Sequence, residues 1–257
     1  MTPAPPAAGG TVRLDGRLVP LIRLPDPPPE PDAVAAALAR AGLPVGRRPV
    51  VVLVGGAGRL VVPDPPAWAA LFRDGLVAGL VRAGGCLLDG GTDAGVLRLA
   101  GVARAAAGAD YPAVGVVAEG TVRWPGRKPA LPDAADLGPQ HTHLVVVPGS
   151  AWGLDPPWIS LVAGALAGPA PALTVVVNGG PITAEDVRRS LDAGRRVVVV
   201  AGSGRLADAL AAARRRPSEA RPEDAAFAAS PLLDVVEGLR EPQLLADAIA
   251  ALADGAR

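Results

Sequence analysis

The run Val50-Val51-Val52-Leu53-Val54-Gly55-Gly56-Ala57-Gly58 decides the fold. Five consecutive aliphatic residues leave no polar position to face water. The segment therefore reads as a strand buried on both faces, as in a parallel sheet, and the glycines mark its carboxyl end. The pattern recurs at 86–88, 114–117, 144–147, 173–177 and 197–200, each a short Val/Leu-rich run. Helical segments separate most of these runs: 96–106, 158–167, 184–193 and 205–213, with Trp68, Phe72, Leu76 and Leu80 recurring every fourth residue. Thr183 and Asp186 have capping-box spacing and mark a helix start. Strand–helix alternation of this kind predicts an α/β, Rossmann-like doubly wound domain with a mostly parallel sheet of six or seven strands.

Outside this unit the chain changes character. Residues 1–10 are Pro, Ala and Gly without periodicity and read as a loose tail. Residues 11–24 predict a hairpin around Asp15-Gly16, a favoured hairpin dipeptide. A helix over 32–41 ends at Gly42. A polar Arg/Pro link occupies 214–223, and Ser230-Pro231 reads as the N-cap and first position of a helical piece running to Ala253. The expected divisions are 1–48 (tail, hairpin and helix), 49–213 (the Rossmann-like domain) and 214–257 (a helical extension packed on it).

Composition excludes several classes of function. The chain is 50% hydrophobic and 19% charged, which supports a packed globule despite 32 Gly and 29 Pro among 257 residues. Net charge is zero, so a phosphate-neutralising nucleic-acid face is not expected. Cys86 is the single cysteine, which removes disulfide frameworks and cysteine zinc sites. Lys128 is the single lysine and does not sit in a Walker A motif. Neither a signal pattern nor a run of about 20 apolar residues occurs, so a cytoplasmic protein is expected, with no membrane partner.

Ligands of open parallel sheets bind beyond the strand carboxyl ends, and glycines gather at five of the six. These loops carry Gly55, Gly56, Ala57 and Gly58; Gly90, Gly91, Thr92, Asp93 and Gly95; Gly149 and Ser150; Gly179 and Gly180; and Gly202, Ser203, Gly204 and Arg205. Backbone N–H groups without neighbouring Cβ atoms approach a phosphate closely, which predicts an anionic, phosphate-bearing ligand. Arg205 is placed to pair with a phosphate, and Trp152 to stack on a base or plug the sheet edge. The dehydrogenase fingerprint is not met, because Val61 stands where the third glycine belongs. His141 and His143, the two histidines, share a face if both lie on a strand, but no further ligands complete a metal site. One is expected to meet the ligand and the other to pack, and His143 is the ligand candidate. Asp155, Glu185 and Asp186 read as helix caps.

In their order along the chain, Val54-Gly55-Gly56-Ala57, Gly90-Gly91-Thr92-Asp93-Ala94-Gly95-Val96, His141-Thr142-His143, Gly179-Gly180-Pro181 and Gly202-Ser203-Gly204-Arg205-Leu206-Ala207-Asp208 resemble the LSDAT branch of the SLOG superfamily. Its relatives include the N-terminal cytosolic domains of melastatin-type TRP channels. The resemblance covers about residues 49–213. It implies a Rossmann-like ligand sensor, a nucleotide-derived ligand such as ADP-ribose, and a cleft lined by Gly56-Ala57, Gly91-Thr92, Ser150, Gly180 and 203–205. It requires no cofactor, and its members often dimerise, for which the apolar C-terminal helix would serve. Two departures stand out. The helix over 158–167 lacks the arginines that channel domains place near ADP-ribose. Pro148-Gly149-Ser150-Ala151-Trp152-Gly153-Leu154-Asp155 lacks the glutamate of the LOG-type phosphoribohydrolases, leaving Asp155 as the sole nearby catalytic candidate. Three functions stay open at this point: a non-catalytic sensor, a hydrolase of a nucleotide N-glycosidic or phosphate bond, and an interaction scaffold.

Overall fold

A computed structural model of the protein describes residues 8–58, 60–126 and 131–256. Residues 1–7 of the expected tail, and Lys128, lie outside the described residues. The chain begins with β1 (Ala8–Leu14) and β2 (Arg17–Arg23), then α1 (Pro31–Arg40) and β3 (Val50–Gly55). Next come α2 (Pro65–Ala70), a π-helical segment over Leu71–Val77, α3 (Ala78–Ala83), β4 (Cys86–Asp89), α4 (Gly95–Ala106) and β5 (Ala113–Ala118). A small pair, β6 (Val122–Arg123) and β7 (Ala135–Asp136), precedes β8 (His143–Val147), α5 (Pro156–Ala167) and β9 (Ala172–Val177). The remainder is α6 (Pro181–Asp192), β10 (Arg196–Val200), α7 (Arg205–Arg215), α8 (Pro222–Ala229), β11 (Leu233–Val236) and α9 (Pro242–Ala250).

The main sheet has nine strands in the order β1-β2-β8-β5-β4-β3-β9-β10-β11, where six or seven were expected. All neighbours pair in parallel except β1 with β2. Three strands account for the excess. The hairpin joins the sheet, because β2 pairs with β8 through Leu21, Ile22 and Arg23. Ala8, Gly9 and Gly10, expected to be loose, already pair with Arg23, Ile22 and Leu21. The helix expected to start at Ser230-Pro231 is instead β11, laid against β10, and helix resumes only at Pro242. Leu233, Val235 and Val236 supply the aliphatic side chains that a strand position favours.

Side chains alternate across the sheet as the pleat requires. Val50, Val52 and Val54 enter one apolar layer with Val34 and Leu38 of α1, Trp158 and Val162 of α5, and Leu210 of α7. Val51 and Leu53 enter the opposite layer with Trp68, Phe72, Leu76, Leu80 and α9. All four residues of the fourth-residue stripe are buried. A strict four-residue spacing drifts around an α-helix, and the wider i→i+5 turn over Leu71–Val77 corrects the drift, keeping the stripe on the sheet. α9 crosses this helix at Gly75 and Gly79, where a Cβ on Gly79 would lie 2.9 Å from the Ile249 Cβ. The apolar face of α9 (Leu245, Ala246, Ile249) is therefore covered by its own chain.

Strand order reverses between β3 and β9: from β3 the chain proceeds outward through β4, β5 and β8, then returns through α5 to β9. In open α/β sheets such a switch point opens a crevice at the strand carboxyl ends.

Candidate functional site

A cleft of about 520 Å³ lies at this switch point, within the range of small-molecule sites. Every glycine loop singled out in the sequence contributes to it. Gly55, Gly56, Ala57 and Gly58 follow β3, Gly90 and Thr92 follow β4, and Trp152 and Asp155 follow β8. Gly180, Pro181, Ile182 and Thr183 open α6, and Arg205 opens α7.

The loops are drawn together so tightly that two positions admit only glycine. A Cβ on Gly55 would strike the Val177 carbonyl, and one on Gly95 the Gly56 carbonyl. The first N–H groups of two helices are already engaged: Val96 donates to the Gly56 carbonyl at 2.9 Å and Ala207 to the Asn178 carbonyl at 3.1 Å. α6 is the helix start that faces the cleft. Gly180 is its N-cap and donates its N–H to Thr183 Oγ1 at 3.2 Å, so Thr183 is the fourth residue of this start rather than its cap.

Arg205 is exposed and makes no ion pair among the described residues. Its guanidinium reaches Gly180, where a Cβ would meet Nη2 at 2.6 Å. Its backbone sits at φ +51°, a left-handed conformation that non-glycine residues adopt at a cost and that clusters at functional sites. Asn178, also left-handed at φ +61°, is a residue type that tolerates this. It fastens the two loops, donating Nδ2 to the Ser203 carbonyl and its backbone N–H to Ser203 Oγ, both at 2.7 Å.

Several expected residues support the cleft without lining it. Gly91 donates its N–H to Asp89 Oδ1 at 2.7 Å. Asp93 donates its N–H to the Asp136 carbonyl. Gly149 accepts from Gly120 N–H, with Ser150 beside it. Ser203 donates to the Val200 carbonyl, and Gly202 donates to Asp208 Oδ1. Gly179 and Gly204 take positive φ in the turns that lead into α6 and α7.

His143 does not reach the cleft. It opens β8 at the amino edge of the sheet and contacts the Ala41 carbonyl through Nε2 at 3.0 Å and Thr142 Oγ1 through Nδ1. Burial lowers its pKa. The shared-face expectation fails because β8 begins at His143, while His141 lies in the turn before it. His141 is buried beneath the Gly90-Gly91 loop, its Nε2 2.9 Å from Asp89 Oδ1 and its Nδ1 2.9 Å from the Gly138 carbonyl. Burial opposes its charge, but the Asp89 carboxylate and the Gly138 carbonyl outweigh burial and raise its pKa. An acceptor at each ring nitrogen favours the imidazolium form, which pairs with Asp89 and holds the loop from below.

Sequence reasoning passed over Asp186, taken for a helix cap. It lines the cleft although it is only 8% exposed, and its Oδ1 is sealed from solvent with no hydrogen-bond partner among the described residues. Burial, then the charges of Asp155 and Glu185, push its pKa well up against the pull of Arg189 and Arg195. Asp155, at the start of α5, is also raised by burial, moderated by the N–H groups of Asp155 and Gly153. Behind Asp186 lies a buried polar chain: Ser190 Oγ donates to the Asp186 carbonyl, pairs with Thr174 Oγ1 and accepts from Arg195. Trp152, 40% exposed, hangs at the cleft mouth near Ile182, with its Nε1–H donated to Asp133 Oδ2 at 3.0 Å. Asp133 and Ile182 carried no motif in the sequence.

A family model described as SLOG in TRPM, prokaryote, the LSDAT family, matches residues 48–246. The chain belongs to this family. The matched span of the SLOG domain runs from the residue pair before β3 into α9, so every residue lining the cleft falls inside it. No curated protein matches the chain. Among the described residues no helix is long and apolar enough to cross a membrane, and no three His, Cys, Asp or Glu side chains cluster to hold a metal.

Proposed function

We propose that this SLOG domain binds a nucleotide-derived, phosphate-bearing ligand at the switch-point cleft and acts as a sensor without chemistry of its own. The observation that carries this reading is Arg205: an exposed cation without an ion pair among the described residues, held in a costly backbone conformation over the start of α6. A phosphate at Gly180 would receive a charge-assisted bond from the guanidinium together with the favourable end of the α6 dipole. Trp152, its indole fixed by Asp133, offers an apolar face for a base. The candidate ligands are ADP-ribose, cyclic ADP-ribose, NAD, AMP, ATP and cyclic dinucleotides.

The test is a thermal-shift panel of these compounds on wild type and Arg205→Ala. A compound at 100 times its Kd adds about 2.7 kcal/mol, which the variant should largely lose. A flat wild-type panel refutes the reading. A second reading, hydrolysis of a nucleotide N-glycosidic or phosphate bond, is favoured by the two cleft carboxyls, Asp155 and Asp186. Chromatography of the same mixtures for free base or phosphate decides between the two.

A further inference from the structure

Asp155 and Asp186 line the same cleft as Arg205, yet neither has a cationic side chain within ion-pair reach among the described residues. A phosphate does not belong beside them. We propose that the two form a hydroxyl-binding subsite, with Asp155 as a carboxylate acceptor and Asp186 as a carboxylic acid donor, that takes the diol of a sugar ring attached to the phosphate. This rests on the phosphate-binding reading of the cleft and narrows its ligand to a sugar phosphate with free hydroxyls.

Three observations carry it. The first is the sealed Oδ1 of Asp186, more than nine-tenths buried and without a donor. An ionised carboxylate would leave this oxygen's charge unsolvated, whereas the neutral acid leaves only a weak acceptor there and frees its O–H for a ligand. The second is the set of charges around it. Asp155 faces it from the start of α5, Glu185 and Arg189 lie on its own helix, and Arg195 follows α6. Burial first, and then the negative charge on Asp155, favour the protonated form of Asp186. The third is spacing. Asp186 lies six residues beyond the Gly180 N-cap, about 9 Å along the helix at 1.5 Å per residue. Its side chain tilts back toward the helix start, so along α6 the acid lies no farther than about 9 Å from the Gly180 end that the Arg205 guanidinium reaches, a separation that one phosphate and one sugar ring can bridge.

The experiment measures binding of AMP, 2′-deoxy-AMP and 3′-deoxy-AMP by calorimetry on wild type, Asp155→Ala, Asp186→Asn, Asp186→Ala and Arg205→Ala. A hydroxyl deletion that strands buried polar groups should weaken wild-type binding about tenfold or more. Asp155→Ala removes the acceptor and should erase that discrimination. Asp186→Asn is nearly isosteric and keeps an N–H donor that cannot ionise. It should retain discrimination, whereas Asp186→Ala, which offers no donor, should lose it. Arg205→Ala should weaken all three nucleotides equally. AMP and its deoxy analogues binding alike overturns the hydroxyl subsite and leaves the phosphate reading intact. Full discrimination in Asp186→Ala overturns the donor role of Asp186. If AMP fails to bind wild type, the hydroxyl subsite falls, and the phosphate reading falls with it only when the whole nucleotide panel is flat.

Discussion

Replacing Arg205 by glycine should make the protein more stable than replacing it by alanine, while both lose ligand. The backbone at φ +51° costs a residue with a Cβ about 1–2 kcal/mol. Alanine keeps this cost and glycine removes it. Glycine returns about 0.5–1 kcal/mol of the gain through its greater freedom in the unfolded chain. The net difference favours glycine by about 0.5–1 kcal/mol, which is roughly 1–4 °C in Tm for a chain of this size. At an ordinary helical position the sign would be reversed, because alanine outranks glycine there by about 1 kcal/mol. Removing the guanidinium deletes a charge-assisted bond of about 1.5–3 kcal/mol, so both variants should bind a phosphate ligand about 10–150-fold more weakly. Urea unfolding and calorimetry on the three proteins measure both effects. An Arg205→Gly protein less stable than Arg205→Ala would show that position 205 carries no left-handed strain. Unchanged affinity in both variants would remove Arg205 from the site.

Other substitutions probe the frame. Gly79→Ala adds a methyl 2.9 Å from Ile249 Cβ and 3.0 Å from the Ala246 backbone; overpacking of about 1–3 kcal/mol exceeds the helix-propensity gain of about 1 kcal/mol, so its urea midpoint should fall. Gly164→Ala, at an exposed position of α5 with no atom within 4 Å of the added carbon, should stabilise by about 0.5–1 kcal/mol, and a loss there would contradict the open surroundings. Because the pKa of His141 is raised in the fold, its contribution is complete below the unfolded value of about 6.5 and is lost as pH rises through the folded value, with a slope of at most about 1.4 kcal/mol per pH unit; stability curves of wild type and His141→Gln that stay parallel from pH 6 to 9 would show the ring is uncharged. Trp152→Ala should remove ligand-induced fluorescence quenching, since Trp68 and Trp158 are buried and the half-buried Trp124 sits under Arg23 away from the cleft lining, and should weaken binding by the roughly 1–3 kcal/mol of one base stack; quenching that persists places the base elsewhere.

The six central strands were legible because burial on both faces erases polar alternation, and their loops were legible because close backbone approach demands glycine. What escaped was information that the local sequence does not carry. That β2 pairs with β8 depends on residues more than 120 positions apart, such as Leu21 and Leu144. β11 was hidden by Asp234, which pairs with Arg196 at the sheet edge, and by a Ser-Pro dipeptide that resembles a helix start. The π-turn showed only as a stripe spaced too widely for a regular helix. In the site, loop positions were readable but side-chain environments were not. Asp186 looks like any acid in the first turns of a helix until α5 and β9 close over it. His143 misses the cleft because it opens β8 at the amino edge of the sheet and is held by the Ala41 carbonyl, and His141 packs beneath the Gly90-Gly91 loop, so neither imidazole lines the site.

The hairpin and α9 have a consequence for anyone trimming the protein. The matched region, 48–246, would omit β1 and β2 and would cut α9 before Ile249, which is wholly buried. β8, whose residues Leu144, Val145, Val146 and Val147 are all aliphatic, would then become an unprotected edge strand. Bare, flat, apolar edges recruit strands from other molecules. A shortened chain should therefore precipitate at concentrations where the full chain stays dispersed, so the hairpin and the last turn of α9 serve as guards against self-association.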